Sequence, residues 1–458
     1  MEQGDGMKPD DAGLGGIENL VLDDRVHGRC YTDPALFELE LERVWGTAWV
    51  YAAHESQIPA AGDFVTTFIG REPVIITRDE RGRIHGLFNR CPHRGSLVTN
   101  ELQGNARRFA CPYHGWAFRM DGSLAGVPYM GGFDDALIRG MRLAPVARLE
   151  SYRGWIFVSL AADGPDFARF IAPMKPGIDN LLDRSPTGEV EIVSGVHRYE
   201  YRGNWKMQLE NGVDEYHPPF SHASSVRKDG GQMQRAYAAE SWRVMAKGDS
   251  PAEAPGEEVA LVGSTSHYDN GQVHGFGFGH SYLTMADDSR KNELRVPAYR
   301  DALDRRHGAQ RAGEIIDATK YTNLIIYPNV ISRITGNLHI RVIRPVEVDR
   351  TEVWVWPMRI KGAPDDWNTG IVKFSNLHAS VSSFVQTDDL EVFERVFQGL
   401  RARAPEWVQF GRGYGRDKPG ELPGELWGPA TWETGMRAQW RYWKQLMAGN
   451  GRLDGVDR

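Results

Sequence analysis

Residues 91–116 read "CPHRGSLVTNELQGNARRFACPYHGW" and pair a cysteine with a histidine twice, Cys91 with His93 and Cys111 with His114. The pattern is C-x-H, seventeen intervening residues, then C-x-x-H. Structural zinc sites usually open with two cysteines and close with two histidines, keeping like ligands together on each turn. Here each half supplies one thiolate and one imidazole. That mixture suits a [2Fe–2S] cluster in which one iron keeps two cysteines and the other takes two histidines, because each loop then reaches both irons. Pro92, Gly95, Pro112 and Gly115 allow the tight bends that such loop tips need. Zinc, and two buried thiols beside unrelated histidines, are the competing readings; the matched halves and flanking turn residues count against both.

The rest of the chain frames this stretch. Its 458 residues are enough for two or three domains, and 41% hydrophobic with 25% charged residues is ordinary for a globular protein. A net charge of −7 with no basic stripe argues against a nucleic-acid partner. The apolar run "GWIFVSLAA" at 154–162 is strand-sized, so no membrane span is expected. The first sixteen residues are acidic and Gly-rich, without the pattern of a signal peptide, and read as a flexible arm. Two of three cysteines are used above, leaving Cys30 unpaired, which points to a reducing cytoplasm.

Residues 33–46, "DPALFELELERVWG", have apolar positions at helical spacing behind an Asp-Pro start. Short alternating or apolar runs follow, "DFVTTFIG", "PVIITRD", "IHGLFNRC" and "WIFVSLA", and predict a small antiparallel β domain from which the two loops project. From about residue 165 the pattern is mixed, with strand-like runs at 191–202, 323–334, 338–344 and 352–360. The stretch from about 226 to 320 reads as a long irregular insert, a lid or a subunit contact. "ETGMRAQWRYWKQLM" predicts a closing amphipathic helix with Trp440 and Trp443 in the core.

A second constellation is "GNWKMQLENGVDEYHPPFSH", residues 203–222, where Asp214, His217 and His222 form D-x2-H-x4-H. On a helix Asp214 and His217 would share a face, and Pro218 with Pro219 would end that helix and turn His222 back towards His217. Two histidines and a carboxylate with open positions are the donor set of non-haem Fe(II) oxygenases. Asp214 is the adjacent carboxylate. A second source is "FVQTDDLEVFERVF", where Thr387 can cap a helix, Asp388 and Asp389 open it, and Leu390, Phe393, Val396 and Phe397 mark its buried face.

Together the two motifs resemble the alpha (large, catalytic) subunit of the Rieske non-haem iron ring-hydroxylating oxygenases, from about residue 30 to the end. The resemblance implies an α+β chain. A small antiparallel β Rieske [2Fe–2S] domain spans 45–162, after an arm and helix at 1–44. A larger helix-grip (START-like) catalytic domain, with antiparallel sheet and helices, covers 163–458. It implies Cys91, His93, Cys111 and His114 as cluster ligands. It also implies His217, His222 and Asp389 as ligands of a mononuclear iron, with Asp388 beside them and Asp214 as an electron-transfer bridge. Respiratory Rieske proteins carry an extra cysteine in each loop and a serine bonded to a sulfide. Here Ser96, Tyr113 and Trp116 stand at those places, so fewer hydrogen bonds reach the sulfurs and a lower potential is expected.

The spelling "NWK…ENGVDEYH", with Asn211 three residues before Asp214, is similar to the benzoate-like and salicylate-like members and implies an aromatic carboxylate as substrate. Arg333 is the expected anchor for its carboxylate, ahead of Arg341 and Arg344 on the next strand. By the same resemblance, electrons come from NAD(P)H through a reductase, sometimes with a ferredoxin. They pass by His114 and Asp214 to the iron of a neighbouring subunit, where O2 converts the ring to a cis-dihydrodiol or a phenol. A trimer is expected, with or without a small beta subunit. A Rieske-type monooxygenase or demethylase, and a simple Rieske electron carrier, are the alternatives.

Overall fold

The computed structural model describes residues 16–192, 195–222, 271–284, 297–317, 321–334, 337–383 and 385–449. Among them the strand pairings are antiparallel, and helices pack on the sheets as an α+β arrangement. The expected arm at 1–15 and most of the expected insert lie outside the described residues. The described parts of that insert are regular rather than loop-like: strands Gln272–Gly275 and Ser281–Thr284, and helices Pro297–His307 and Ala309–Asp317. Irregular composition there conceals a hairpin, because central strands need only a few apolar positions once neighbours supply their hydrogen bonds.

In the first part of the chain, strands Asp63–Ile69, Glu72–Arg78 and Ile84–Phe88 form a meander edged by Gln103–Asn105. Its inward residues Phe64, Ile75 and Leu87 pack with Phe109, Phe118 and Leu143 around Cys91, Cys111 and Trp116, in a core separate from the main one. A second sheet, Arg148–Tyr152, Trp155–Ser159 and Val50–His54, joins the main core instead. Asn329 locks it there: its Oδ1 accepts from Tyr51 N at 3.0 Å and its Nδ2 donates to Tyr51 O at 2.9 Å.

The second part is built on a ten-stranded sheet. Its centre runs Arg350–Ile360, His339–Glu347, Val330–Arg333, Asn323–Ile326, Ser281–Thr284 and Gln272–Gly275. The expected strands 191–202 and 323–334 each divide in two, the second at the Pro328–Asn329 turn that folds 323–326 onto 330–333. Helices Trp205–Asn211, Asp365–Ala379 and Gln386–Leu400 and the closing helix Thr434–Met447 belong to the same part. No helix among the described residues is long and apolar enough to cross a membrane.

Two carboxylates, one buried and one half-buried, tie the helices together. The predicted N-terminal helix forms at Pro34–Glu40, with Asp33 capping Ala35 N and Leu36 N. Its last residue, Glu40, is fully buried; Oε1 accepts from Lys206 Nζ at 2.5 Å and Trp443 Nε1 at 2.6 Å, and Oε2 accepts from Trp205 Nε1 at 2.8 Å. Glu210 accepts from Tyr31 OH at 2.7 Å and Trp440 Nε1 at 2.9 Å. Trp440 and Trp443 are therefore core residues that also donate to carboxylates, as amphipathic aromatics do.

Burial raises the Glu210 carboxyl to about 7, against the pull of its two donors and Lys206. A carboxyl raised on folding binds its proton more tightly in the folded state, so its contribution to stability is present at low pH and is lost as pH rises through about 7. A shift of this size corresponds to about 3 kcal/mol. Glu210→Gln should therefore gain stability relative to the parent protein between pH 5 and 8, read from denaturation midpoints. A difference that is flat with pH would show that Glu210 is already ionised in the folded protein.

Candidate functional site

The two loop tips are near copies of each other. Gly95 N donates to Cys91 O at 2.9 Å and Cys91 N to Ser96 O at 2.8 Å; Gly115 N donates to Cys111 O at 3.0 Å and Cys111 N to Trp116 O at 2.8 Å. Gly95 and Gly115 both have left-handed φ, 76° and 71°, where a side chain would be strained. Each tight turn places a buried cysteine inward and its histidine two or three residues on.

The His93 and His114 rings lie 4.6 Å apart, and His93 stacks on Trp116 at 4.9 Å with the planes 3° apart. Both Nδ1 atoms are shielded from water and make no hydrogen bond among the described residues. Burial, together with Cys111 alongside, raises the Cys91 thiol. Two adjacent buried thiols and two orphaned ring nitrogens fit a positively charged metal cluster, which would satisfy all four donors. Ser96 Oγ turns away to donate to Leu97 O at 3.0 Å, and Tyr113 is 57% exposed.

The second motif differs locally from its sequence reading. Helix Trp205–Asn211 ends before Asp214, and Pro218 and Pro219 begin a four-residue helical turn, Pro218–Ser221, instead of ending one. Proline is well placed in a first turn, where its missing N–H leaves no hydrogen bond unmade. Asp214 and His217 still meet, through a turn in which Asp214 Oδ1 accepts from Tyr216 N at 2.7 Å and His217 N at 3.3 Å. The turn at 218–221 carries the chain from His217 round to His222, setting their rings 5.2 Å apart at 74°.

Helix Gln386–Leu400 brings the carboxylate. Its N-cap residue is Val385, which makes no side-chain cap bond; upstream, Ser383 Oγ accepts from Gln386 N at 2.9 Å, and Thr387 Oγ1 donates back to Ser383 O, so the expected Thr387 cap does not form. Gln386, Asp389, Phe393 and Phe397 form the buried stripe, and Val396 is 42% exposed, outside it. The stripe sets Asp389 inward, because 389, 393 and 397 are successive i, i+4 positions. That signal was available in the sequence once Phe393 and Phe397 were taken as the anchors.

His217 Nε2, His222 Nε2 and Asp389 Oδ1 converge: Asp389 Oδ1 is 3.5 Å from the first and 3.2 Å from the second, and the three ligand atoms lie within 4.8 Å of one another. Each imidazole offers Nε2 to this point and turns Nδ1 towards an outer carboxylate: His222 Nδ1 bonds Asp388 Oδ2 at 3.3 Å, and His217 Nδ1 lies 3.4 Å from Asp214 Oδ2, a charge contact without a formed hydrogen bond. Outer carboxylates of this kind fix ring orientation and tautomer. Sequence reading left Asp388 without this part and missed Asn211 as a contact: Asn211 Nδ2 is 3.1 Å from His217 Nε2 and donates to Asp389 Oδ1 at 3.1 Å.

Burial alone would lower His217, but the contact with Asp214 and the charges of Asp389 and Asp214 raise it to about 9. Burial pushes the Asp389 carboxyl up, and the hydrogen bond from His222 with the charges of His217, His222 and Arg341 outweighs it and holds it low. A compact anion beside two imidazoles, with nearby outer carboxylates, is a donor set for a divalent metal. Arg333 lies on the sheet, donating to Asn323 Oδ1 at 3.0 Å and Asn337 Oδ1 at 3.1 Å. Arg344 pairs with Glu352 at 2.8 Å and stacks on Phe68. Cys30 is buried and its thiol raised by burial, which suits a packing role.

Comparison with known proteins identifies both parts of the chain. Residues 48–151 match the family described as "Rieske [2Fe-2S] domain", and residues 192–447 match "Ring hydroxylating alpha subunit (catalytic domain)". The chain is 33% identical to the anthranilate 1,2-dioxygenase large subunit of Acinetobacter baylyi over 85% of its own length and 80% of that protein. It is 32% identical to the toluate 1,2-dioxygenase subunit alpha of Pseudomonas putida over 95% of each. Its fold superposes on a naphthalene 1,2-dioxygenase variant bound to phenanthrene, with a TM-score of 0.77, 25% identity and 94% of each chain covered. An oxidoreductase with a Rieske [2Fe–2S] domain followed by a non-haem iron catalytic domain, the chain belongs to the ring-hydroxylating dioxygenase family as an alpha subunit.

Proposed function

We propose that this alpha subunit hydroxylates an aromatic carboxylate of the benzoate, anthranilate or toluate kind. Cys91, His93, Cys111 and His114 hold the [2Fe–2S] cluster, and His217, His222 and Asp389 hold the mononuclear iron. The observation that carries this reading is the convergence of His217, His222 and Asp389 beneath a sheet face that bears two arginines, in a chain whose first part presents two matched cysteine-histidine loops. When bound, the cluster supplies electrons singly and the iron supplies a site for O2. The protein's own part is to hold the two histidines at fixed angles through Asp214 and Asp388, to keep Asp389 anionic, and to bind the ring beside them in a water-poor pocket. The domains divide as 1–44, 45–162 and 163–458.

The test is a single turnover. Chemically reduced, iron-replete protein is mixed with 18O2 and a panel of benzoate, 2-aminobenzoate and 3-methylbenzoate, and the products are weighed by mass spectrometry. Two labelled atoms in one product establish dioxygenation and one establishes monohydroxylation. No label in any acid, with both centres reduced, would sink the reading.

Electrons reach the site from a reductase, directly or through a ferredoxin, and cross between copies of the chain in a trimer, with or without a beta subunit. This assembly is supported by the surface character of both ends of the route: Tyr113 beside His114 is exposed, and so are Tyr216 and Phe220 beside Asp214, which is itself only half-buried. Asp214→Asn keeps the shape of the bridge and removes its charge. Turnover is expected to fall about 10- to 100-fold with iron retained at both sites, as for other outer partners of metal ligands. Full turnover in this variant would remove Asp214 from the route. The buried, unpaired Cys30 is consistent with a reducing cytoplasm.

A further inference from the structure

Strand register places a second arginine on the face that carries Arg333. Directly paired residues of antiparallel strands project to one side, and alternate residues along a strand share it. Asn323 pairs with Arg333 and Ile325 with Ile331; Arg333 pairs with His339 and Ile331 with Arg341; Arg341 pairs with Val355. All of these side chains therefore line one face. That face meets the metal-binding segment: Asn323 Nδ2 donates to Gly212 O at 2.9 Å, and a Cβ on Gly212 would sit 2.9 Å from Ile331 Cδ1. Gly212 directly follows Asn211, which touches both His217 and Asp389.

The two arginines differ in what already holds them. Arg333 spends Nε on Asn337 and Nη1 on Asn323, and the buried Glu215 carboxyl, raised by burial, is drawn down by the Arg333 charge. Arg341 donates through Nε alone, to His339 Nε2 at 3.0 Å, and its terminal nitrogens make no hydrogen bond among the described residues. His339 is fully buried, and its Nδ1 lies 2.6 Å from Asn337 O. A bond from Nδ1–H to that carbonyl fixes the tautomer and leaves Nε2 as an acceptor. A neutral imidazole thus orients the guanidinium from its inner edge, while the outer edge, with two parallel N–H vectors, matches a carboxylate. On helix Asp365–Ala379, His378 is held down to about 3 by burial and then by the charges of Arg333, Arg341 and His222, which all lie near it.

We propose that Arg341, oriented by His339, receives the carboxylate of the substrate and sets the preference for acids over neutral aromatics. This rests on the aromatic-acid reading above. Arg333 then keeps the pocket wall in register with Asn323 and Asn337. A neutral ring in the same pocket leaves the guanidinium unpaired in a half-buried place, which disfavours it.

The experiment uses holoprotein with both metal centres, reduced, with nitric oxide as the O2 surrogate; benzoate and benzamide are titrated against the iron–nitrosyl resonance. The parent protein should respond to benzoate at lower concentration than to benzamide. Arg341→Gln should lose about 30-fold or more in benzoate affinity and lose the acid preference, while Arg333→Gln keeps the preference. His339→Phe frees the guanidinium and should narrow the benzoate-to-benzamide ratio without altering the ligand-free signal. Should Arg341→Gln fail to hold iron, Arg341→Lys decides the matter: charge without the planar fork should weaken benzoate about 3- to 10-fold and keep the preference, and unchanged benzoate affinity overturns the assignment. Loss of preference in Arg333→Gln with retention in Arg341→Gln also overturns it. A parent protein that responds to neutral rings and to no acid overturns the substrate reading itself, a result distinct from either variant outcome.

Discussion

Asp389→Asn is expected to empty the mononuclear site while leaving the two-loop cluster intact. Among the described residues, Asp389 supplies the only charged oxygen at the point where His217 and His222 converge, 3.5 and 3.2 Å away respectively, and it is 4% exposed. Its replacement leaves two neutral imidazoles and an amide, a weak set for a divalent iron that favours an anionic oxygen. Loss of a partner outside the ligand set costs about 10- to 100-fold in metal affinity or activity, so loss of the ligand itself should exceed about 100-fold. Asp388→Asn, which removes only the outer contact to His222 Nδ1, should fall within the smaller range. Iron per chain after desalting, read beside the visible absorbance of the [2Fe–2S] cluster, separates the cases. Full mononuclear iron and full turnover in Asp389→Asn would place the carboxylate elsewhere.

Glu40→Ala should cost about 3–5 kcal/mol of stability, the usual result of leaving one partner of a buried ion pair behind. Lys206 would keep its charge, 4% exposed, among Tyr31, Trp205 and Trp440, and the indoles of Trp205 and Trp443 would lose their acceptor. The double variant Glu40→Leu with Lys206→Met removes both charges and should recover much of the loss, because the desolvation cost of the pair goes with its attraction. Denaturation midpoints of the two variants test this directly. Equal losses in the single and double variants would show that the indole hydrogen bonds, not the ion pair, carry the stability. Since Glu40, Lys206 and Trp443 come from three helices, one of which leads to Asn211, the loss should also loosen the iron site.

The antiparallel β part, the α+β character beyond it and the closing helix were legible because each depends on local periodicity and turn residues. The Asp-Pro start of the first helix was legible for the same reason. What lay beyond local pattern was read less well. Thr387 has the chemistry of a cap, yet it lies inside the helix, which begins at Gln386 behind Val385, and its Oγ1 donates back to Ser383 O. Val396 is apolar, yet it faces solvent, since the stripe is set by Phe393 and Phe397 against the sheet. Pro218 and Pro219 break helices in general, but here they start one.

By itself, the sequence determined the two matched loops, because a cysteine, a histidine and a left-handed glycine within five residues constrain one another directly. It also determined that Asp214, His217 and His222 stay close, since the ends of a nine-residue stretch with short turns cannot move far apart. Only the tertiary structure decided which carboxylate joins those histidines, what each outer carboxylate touches, and which arginines share a sheet face. Asp389 lies more than 160 residues away along the chain from His222, and Arg341 shares a face with Arg333 only through the register of two strands. Contacts of that range are set by how sheets pair and helices pack over a common core, where a shift of one residue in register would turn Arg341 to the opposite side.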